Sequence, residues 1–315
     1  MNYKKMRRIY IILFSFIISS MSYGQKLNWI PFEWVSDSIS GKYYDKLAIN
    51  IPVSIDGLPH KFTMQFDLGA VTTVIYGNSI AKYLDKYSGF NNKIDSTKSF
   101  IINGKKNPMF KNVGLNLGNV SFGERNIGYF KDYGEPIPTD SIYTSTEKHI
   151  GTIAPDLFKD QYLIIDYPNK RICVTKDLPR KLAKVDFQAC SITSGRVTIP
   201  LTINGKVENL MFDSGSSMFS LITSEENANQ ISDINIVDSL SMNSWGDNMT
   251  AYGKKINSEV KFGKTILQPS NVYYVKNEMI TEFFKQQNIW GITGNAYFLN
   301  KIVIIDYKNN RFGIK

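Results

Sequence analysis

The chain has 315 residues, with 37 Lys and Arg against 28 Asp and Glu, a formal net charge of +9 and 13% aromatic residues. Its lysines are dispersed instead of clustered, which reads as a solvated surface and argues against a nucleic-acid partner. Its two histidines lack metal-ligand spacing, and no His-Glu-x-x-His, Gly-x-Ser-x-Gly or phosphate-loop pattern is present. Zinc and serine hydrolase chemistry are therefore disfavoured, and neither a metal nor a cofactor is expected.

In chain order, Lys4, Lys5, Arg7 and Arg8 precede an apolar run over 9–18, and Ser22-Tyr23-Gly24 follows before Gln25. This pattern predicts a signal peptide over 1–24 and an exported protein, periplasmic or secreted. The run is broken at Ser19 and Ser20, short of the roughly 18 to 20 apolar residues a spanning helix needs. No transmembrane segment is expected in the mature chain, whose charge falls to +5 once those four cations are removed from +9. Residues 25–45 read as an aromatic-rich lead-in, 46–178 as a first β-rich unit, 179–193 as a linker and 194–315 as a second unit. Alternating apolar runs separated by Gly, Asn and Pro turn signals predict an all-β chain, with short helices at 78–87, 224–231 and 280–286. Cys173 and Cys190 flank the linker, and the sequence leaves open a disulfide or two free thiols.

The two units repeat one another. Ile51-Pro52-Val53-Ser54-Ile55-Asp56-Gly57 leads to Phe66-Asp67-Leu68-Gly69-Ala70, and Ile199-Pro200-Leu201-Thr202-Ile203-Asn204-Gly205 leads to Phe212-Asp213-Ser214-Gly215-Ser216. The closing segments Ile164-Ile165-Asp166-Tyr167 and Ile304-Ile305-Asp306-Tyr307 also match. The offsets are 148, 146 and 140, far beyond a solenoid repeat, and each copy is long enough for its own core. Hairpin signals at Asn103-Gly104 and Trp245-Gly246 follow the Asp turns by 37 and 33 residues. One of them could hang over a cleft, but taken alone each reads as an ordinary surface hairpin.

Each copy offers one acid after an apolar strand, followed by a glycine that permits a tight turn. Two such turns meeting at a twofold axis bring like charges within hydrogen-bond range, where one proton is shared. The ionised member can then activate a water while the protonated member polarises a carbonyl. Asp132-Tyr133-Gly134 has no counterpart in the other copy and reads as a plain turn. Asp166 and Asp306 read as structural residues of a strand-to-turn segment, and His149 as structural.

These motifs resemble those of the bilobal, pepsin-like aspartic peptidases, more closely a bacterial branch sharing features with retroviral-type enzymes. The resemblance covers about residues 46 to 315. It implies two related β-barrel-like lobes with a cleft between them, and a metal-free aspartic endopeptidase acting on peptide or protein substrates. Asp67 and Asp213 take the catalytic positions, supported by Gly69, Ala70, Ser214, Gly215 and Ser216. Ile292-Thr293-Gly294 matches the family's hydrophobic-hydrophobic-Gly segment, with Thr152-Ile153-Ala154 in its place in the first copy. A monomer is expected, since one chain supplies both halves of the site. The departures are Leu68, where the family has a hydroxyl, Ala154, where it has glycine, and no tyrosine beside Asn103-Gly104, although Phe100 and Phe110 are near. Leu68 and Ala154 point to the alternative, a catalytically inactive pepsin-like fold that binds a peptide or cell-surface polymer. A more distant reading is a different β-rich hydrolase or adhesin.

Overall fold

The alternation of apolar and polar residues becomes strand wherever it was read, and the chain is mostly β. The computed structural model describes residues 27–39, 41–102, 104–244 and 246–315. The expected signal peptide, and Asn103 and Trp245 of the two hairpin turns, lie outside the described residues.

The duplication is repeated in the topology. In the first copy, Lys42–Ile55 is followed across the sheet by Lys61–Phe66, His149–Ile153, Val74–Tyr76, Val120–Phe130, Lys105–Leu117 and Ile94–Ile102. In the second copy the order is Arg196–Ile203, Lys206–Phe212, Gly291–Thr293, Leu221–Thr223, Asn271–Val275, Asp247–Ile256 and Ser232–Ser244. Parallel and antiparallel pairings also correspond: each Asp-bearing strand runs parallel to the short strand near the end of its own copy. The first sheet closes on itself through Val53↔Leu117, whereas the second is extended past Arg196–Ile203 by Val260–Phe262, paired at Ile203↔Val260. Alternate residues of long strands fill their cores, for example Val197, Ile199, Leu201 and Ile203, while the short strands Val74–Tyr76 and Leu221–Thr223 are buried throughout.

A third, six-stranded sheet joins the copies. Its centre is the antiparallel pair Tyr162–Asp166 and Ile302–Asp306, in register at Ile164↔Ile304. Those two isoleucines are equivalent under the 140-residue offset, so the contact is self-complementary, as at a twofold dimer interface. Both are fully buried.

Residues expected as lead-in and linker are strands of these sheets. Trp29–Pro31 pairs with Arg171–Thr175, Glu33–Ile39 with Lys42–Ile55, Asp186–Ala189 with Arg311–Ile314, and Ser191–Thr193 with Arg196–Ile203. The physical reason is that a sheet edge holds unpaired backbone groups, which flanking chain can satisfy. The three helices form at Gly77–Lys86, Glu225–Ile231 and Glu278–Gln286. Ser224 and Asn277 cap the last two by accepting backbone N–H bonds, which sets their first turns. Cys173 and Cys190 are free thiols.

The symmetry is broken in one buried pair. Tyr167 donates its hydroxyl to Asn295 Oδ1 at 2.6 Å, whereas the hydroxyl of its counterpart Tyr307 is buried without a partner among the described residues. The 140-residue offset explains the difference: the position matching Asn295 is Pro155, which has no side-chain acceptor. Tyr167→Phe is accordingly expected to cost about 1–3 kcal/mol by leaving the Asn295 carbonyl unsatisfied. Tyr307→Phe should be neutral or stabilising, and urea unfolding of the two variants checks the contrast.

Candidate active site

The strand Lys61–Phe66 delivers Asp67, and Lys206–Phe212 delivers Asp213. Each acid is fixed by the parallel strand beside it. The Asp67 N–H donates to Ile153 O at 3.0 Å, and the Asp213 N–H to Thr293 O at 2.9 Å. Each carboxylate then folds back on its own turn. The Gly69 and Ala70 N–H groups donate to Asp67 Oδ1 at 2.8 and 3.1 Å, and the Gly215 N–H donates to Asp213 Oδ1 at 2.8 Å. Ser216 Oγ adds a bond to Asp213 Oδ2 at 2.9 Å, which Ala70 cannot match in the first copy.

The two turns face one another so closely that their glycines are obligatory. A Cβ on Gly69 would lie 2.5 Å from Asp213 Cγ, and a Cβ on Gly215 would lie 2.7 Å from Asp67 Cγ. Each carboxyl group therefore lies against the turn that carries the other. Burial, followed by the charge of the adjacent Asp213 and hydrogen bonding to its carboxyl, pushes Asp67 well above the usual carboxyl range.

One hydroxyl braces the pair. Ser214 is fully buried; its Oγ accepts from the Leu68 N–H and donates to Phe66 O, both at 2.9 Å, tying the second turn to the first. Leu68 has no hydroxyl to return these bonds, and its side chain is buried in the core instead. Asn295 holds the second turn from below, donating to Ser214 O at 3.0 Å and Ser217 Oγ at 2.9 Å. The supporting strand Gly291–Thr293, with Ile292 and Thr293, lies between the Met211-Phe212 strand and Ile222.

Ala154 fits because its loop bonds differently. In the second copy the Gly294 N–H reaches Phe219 O at 3.1 Å, and a Cβ there would lie 1.9 Å from Ser216 O. Thr73 occupies the position of Phe219, six residues past the acid, and the Ala154 N–H bonds its side-chain Oγ1 at 3.0 Å. A hydroxyl replaces a backbone carbonyl as the acceptor, and the fully buried Ala154 methyl is accommodated.

The pair forms part of the lining of a cavity of about 560 Å³. Leu240, Met242 and Asn248 of the second hairpin line it, opposite Tyr76 and Tyr133 of the first copy. A Cβ on Gly246, at the hairpin tip, would lie 3.8 Å from the Tyr133 ring. Lys42 and Tyr273 bond Asp238 at 3.2 and 2.9 Å, which anchors the hairpin farther down. The first hairpin contributes none of the described lining residues; its Phe100 packs against Val74, Tyr76 and Phe130. Of the two hairpins, the second is therefore the one that overhangs the cavity, against the preferred reading of both as surface hairpins.

Tyr76, Tyr133 and Thr152 are cavity residues that the sequence reading missed. Tyr76 hydrogen-bonds Thr152 Oγ1 and packs edge-on against Tyr133 at 4.8 Å. Asp132-Tyr133-Gly134 is a turn, with Gly134 at φ +93°, but its tyrosine faces the cavity. His149 packs against Tyr76, and burial lowers its pKa. His60 packs against Phe62 and Tyr83. Asp166 is held by Asn169 and Arg171, and Asp306 by Asn309 and Arg311, so both are structural.

The chain matches no protein-family model and no curated protein sequence.

Two outcomes are expected. Ser214→Ala should cost about 1–3 kcal/mol in urea unfolding, because it strands the buried Leu68 N–H and Phe66 carbonyl. Asp67→Asn should raise the melting temperature at neutral pH. A carboxyl whose folded pKa is raised contributes stability that is full below the ordinary Asp pKa and is lost as pH rises through the raised folded pKa, so at neutral pH the ionised pair costs stability. The advantage of the variant should shrink as pH falls toward the ordinary Asp range.

Proposed function

We propose that the protein is an exported aspartic endopeptidase of bilobal, pepsin-like fold. The observation that carries this reading is the reciprocal approach of Asp67 and Asp213, each carboxyl lying against the glycine of the opposite turn. Two sheets that share a seven-strand order, related about the Ile164↔Ile304 axis and both lining the cavity, support the fold assignment. The basic and apolar amino-terminal segment supports export. No helix among the described residues is long and apolar enough to cross a membrane.

The chemistry follows from the asymmetry of the pair. Two like charges at hydrogen-bond range cannot both ionise readily, so the pair retains one proton, held on the Asp67 side. Each acid accepts two bonds from its own turn, but on Asp67 both fall on Oδ1 and leave Oδ2 to carry the proton, whereas Gly215 and Ser216 bond both oxygens of Asp213, which suits it to be the base. Asp213 takes a proton from an attacking water while Asp67 gives its proton to the substrate carbonyl oxygen. Asp213 then passes the water-derived proton to the amine nitrogen as the C–N bond breaks, and a hydroxyl of the tetrahedral diol returns a proton to Asp67, which restores the pair without a covalent enzyme intermediate. Two carboxyl groups sharing one proton are the device by which aspartic proteases in general work.

The one-sided Ser214 brace favours the second reading, a scaffold that binds peptide or cell-surface polymer without cutting. Incubation with a diverse peptide library from acidic to neutral pH, followed by mass spectrometry, separates the two. The peptidase reading expects cleavage by the parent and a loss of at least about a hundredfold in both Asp67→Asn and Asp213→Asn. It also expects activity to fall as pH rises through the raised pKa of Asp67, because the proton donor is then lost. A folded parent that cuts nothing at any pH supports the binding reading.

A further inference from the structure

We propose that Arg196 forms a carboxylate-binding subsite beside the Asp67–Asp213 pair, selecting peptides that present an acidic side chain or a free C-terminal carboxylate. The substrate class rests on the peptidase reading; the recognition itself does not.

Arg196 opens the strand Arg196–Ile203, whose alternate residues Val197, Ile199 and Leu201 fill the core. The arginine therefore faces the other side, where it is half-buried. Its Nε–H donates to Gly69 O at 2.6 Å, which fixes the guanidinium to the catalytic turn of the opposite copy. Its plane lies over Phe283, 5.6 Å from the ring centroid. The guanidinium is also close enough to Asp213 and Asp67 to feel their charges, yet it forms an ion pair with neither.

An arginine has five N–H donors and remains charged in a protein. Only the bond to Gly69 is made here, and among the described residues no carboxylate pairs with it. Beside it lies a cavity of about 360 Å³ whose lining mixes the polar Ser191, Thr193, Thr198, Asn209 and Gln287 with apolar side chains such as Met211 and Ile289. No acidic residue lines it, so the opposing charge a bound carboxylate meets is that of the more distant Asp67–Asp213 pair, which the retained proton halves. A partly desolvated, unpaired guanidinium is costly, and bidentate contact with a carboxylate relieves that cost. Under the 148-residue offset the matching position in the first copy is Ala48, so the cation stands on one side of the pair only. The two cavities share no lining residue, and Arg196 links them through its bond to Gly69 of the first turn; an acidic group bound there would fix the direction of a peptide that runs from the pair past Gly69.

The test uses matched peptides carrying Glu or Gln at each position, each with a free or an amidated C terminus. Binding to the full chain bearing Asp213→Asn is read by fluorescence polarisation, and cleavage by the parent is read by mass spectrometry. The expected result is binding about tenfold or more tighter for an acid than for its amide. That preference should vanish in Arg196→Gln and be partly kept in Arg196→Lys, with folding of both checked by circular dichroism. The Glu and Gln arm and the C-terminal arm identify which carboxylate is used. Equal binding of acid and amide forms, an undiminished preference in Arg196→Gln, or no binding of any peptide overturns the proposal. The first and last of these are read without altering Arg196, so misfolding of the Arg196 variants cannot hide them. Cleavage without acid preference removes the subsite and leaves the peptidase reading intact. Acid-selective binding without cleavage does the reverse.

Discussion

Two carboxyl groups can share a proton only where nothing stands between them, and here a single methyl group on either turn would fill the space. Gly69 lies against Asp213, and Gly215 against Asp67. Much of the surrounding structure holds this approach in place. Parallel strands fix the backbone of each acid, Ser214 ties the two turns together, and Asn295 supports the second from beneath. Without these supports the raised energy of the pair would be relieved by separation, and Asp67 would titrate as an ordinary acid.

The axis itself is set farther away, in the six-stranded sheet. Because Ile164 pairs with its own equivalent Ile304, the duplicated closing segments fix a twofold relation between the copies before the paired acids are considered. The local departures from symmetry then divide the labour. Ser216 replaces Ala70, Asn295 replaces Pro155, and Arg196 replaces Ala48, and in each case the second copy gains the polar group. Leu68 makes the first turn the braced partner instead of a brace. The overhanging hairpin also comes from the second copy, while Tyr76 and Tyr133 of the first copy receive it.

The paired acids were legible because duplication is a strong constraint: one Asp-Gly turn is common, but two at matched positions after matched strands are not. Strand content and the three helices were legible from periodicity and from residues such as Ser224. The rest depended on tertiary path. Nothing local distinguishes a hairpin that crosses a cavity from one that packs on its own sheet, so the roles of the two hairpins were not readable. Tyr133 was hidden inside a turn that looked ordinary, and Arg196 is a single cation at the start of a strand. The effect of Ala154 could not be judged without Thr73, which lies 81 residues away and supplies the substitute acceptor. The lead-in and linker looked like connections because edge-strand pairing has little signature beyond that of any extended segment.

The central claim is that Asp67 and Asp213 behave as one titrating unit. Carboxyl carbon NMR of the Asp-labelled chain, followed across pH with Asp67→Asn and Asp213→Asn used for assignment, tests it directly. The account predicts two coupled steps, the later one well above the usual Asp range, with each variant returning the remaining acid toward a single simple titration. Two independent titrations in the ordinary range, unchanged when either partner is removed, would contradict it.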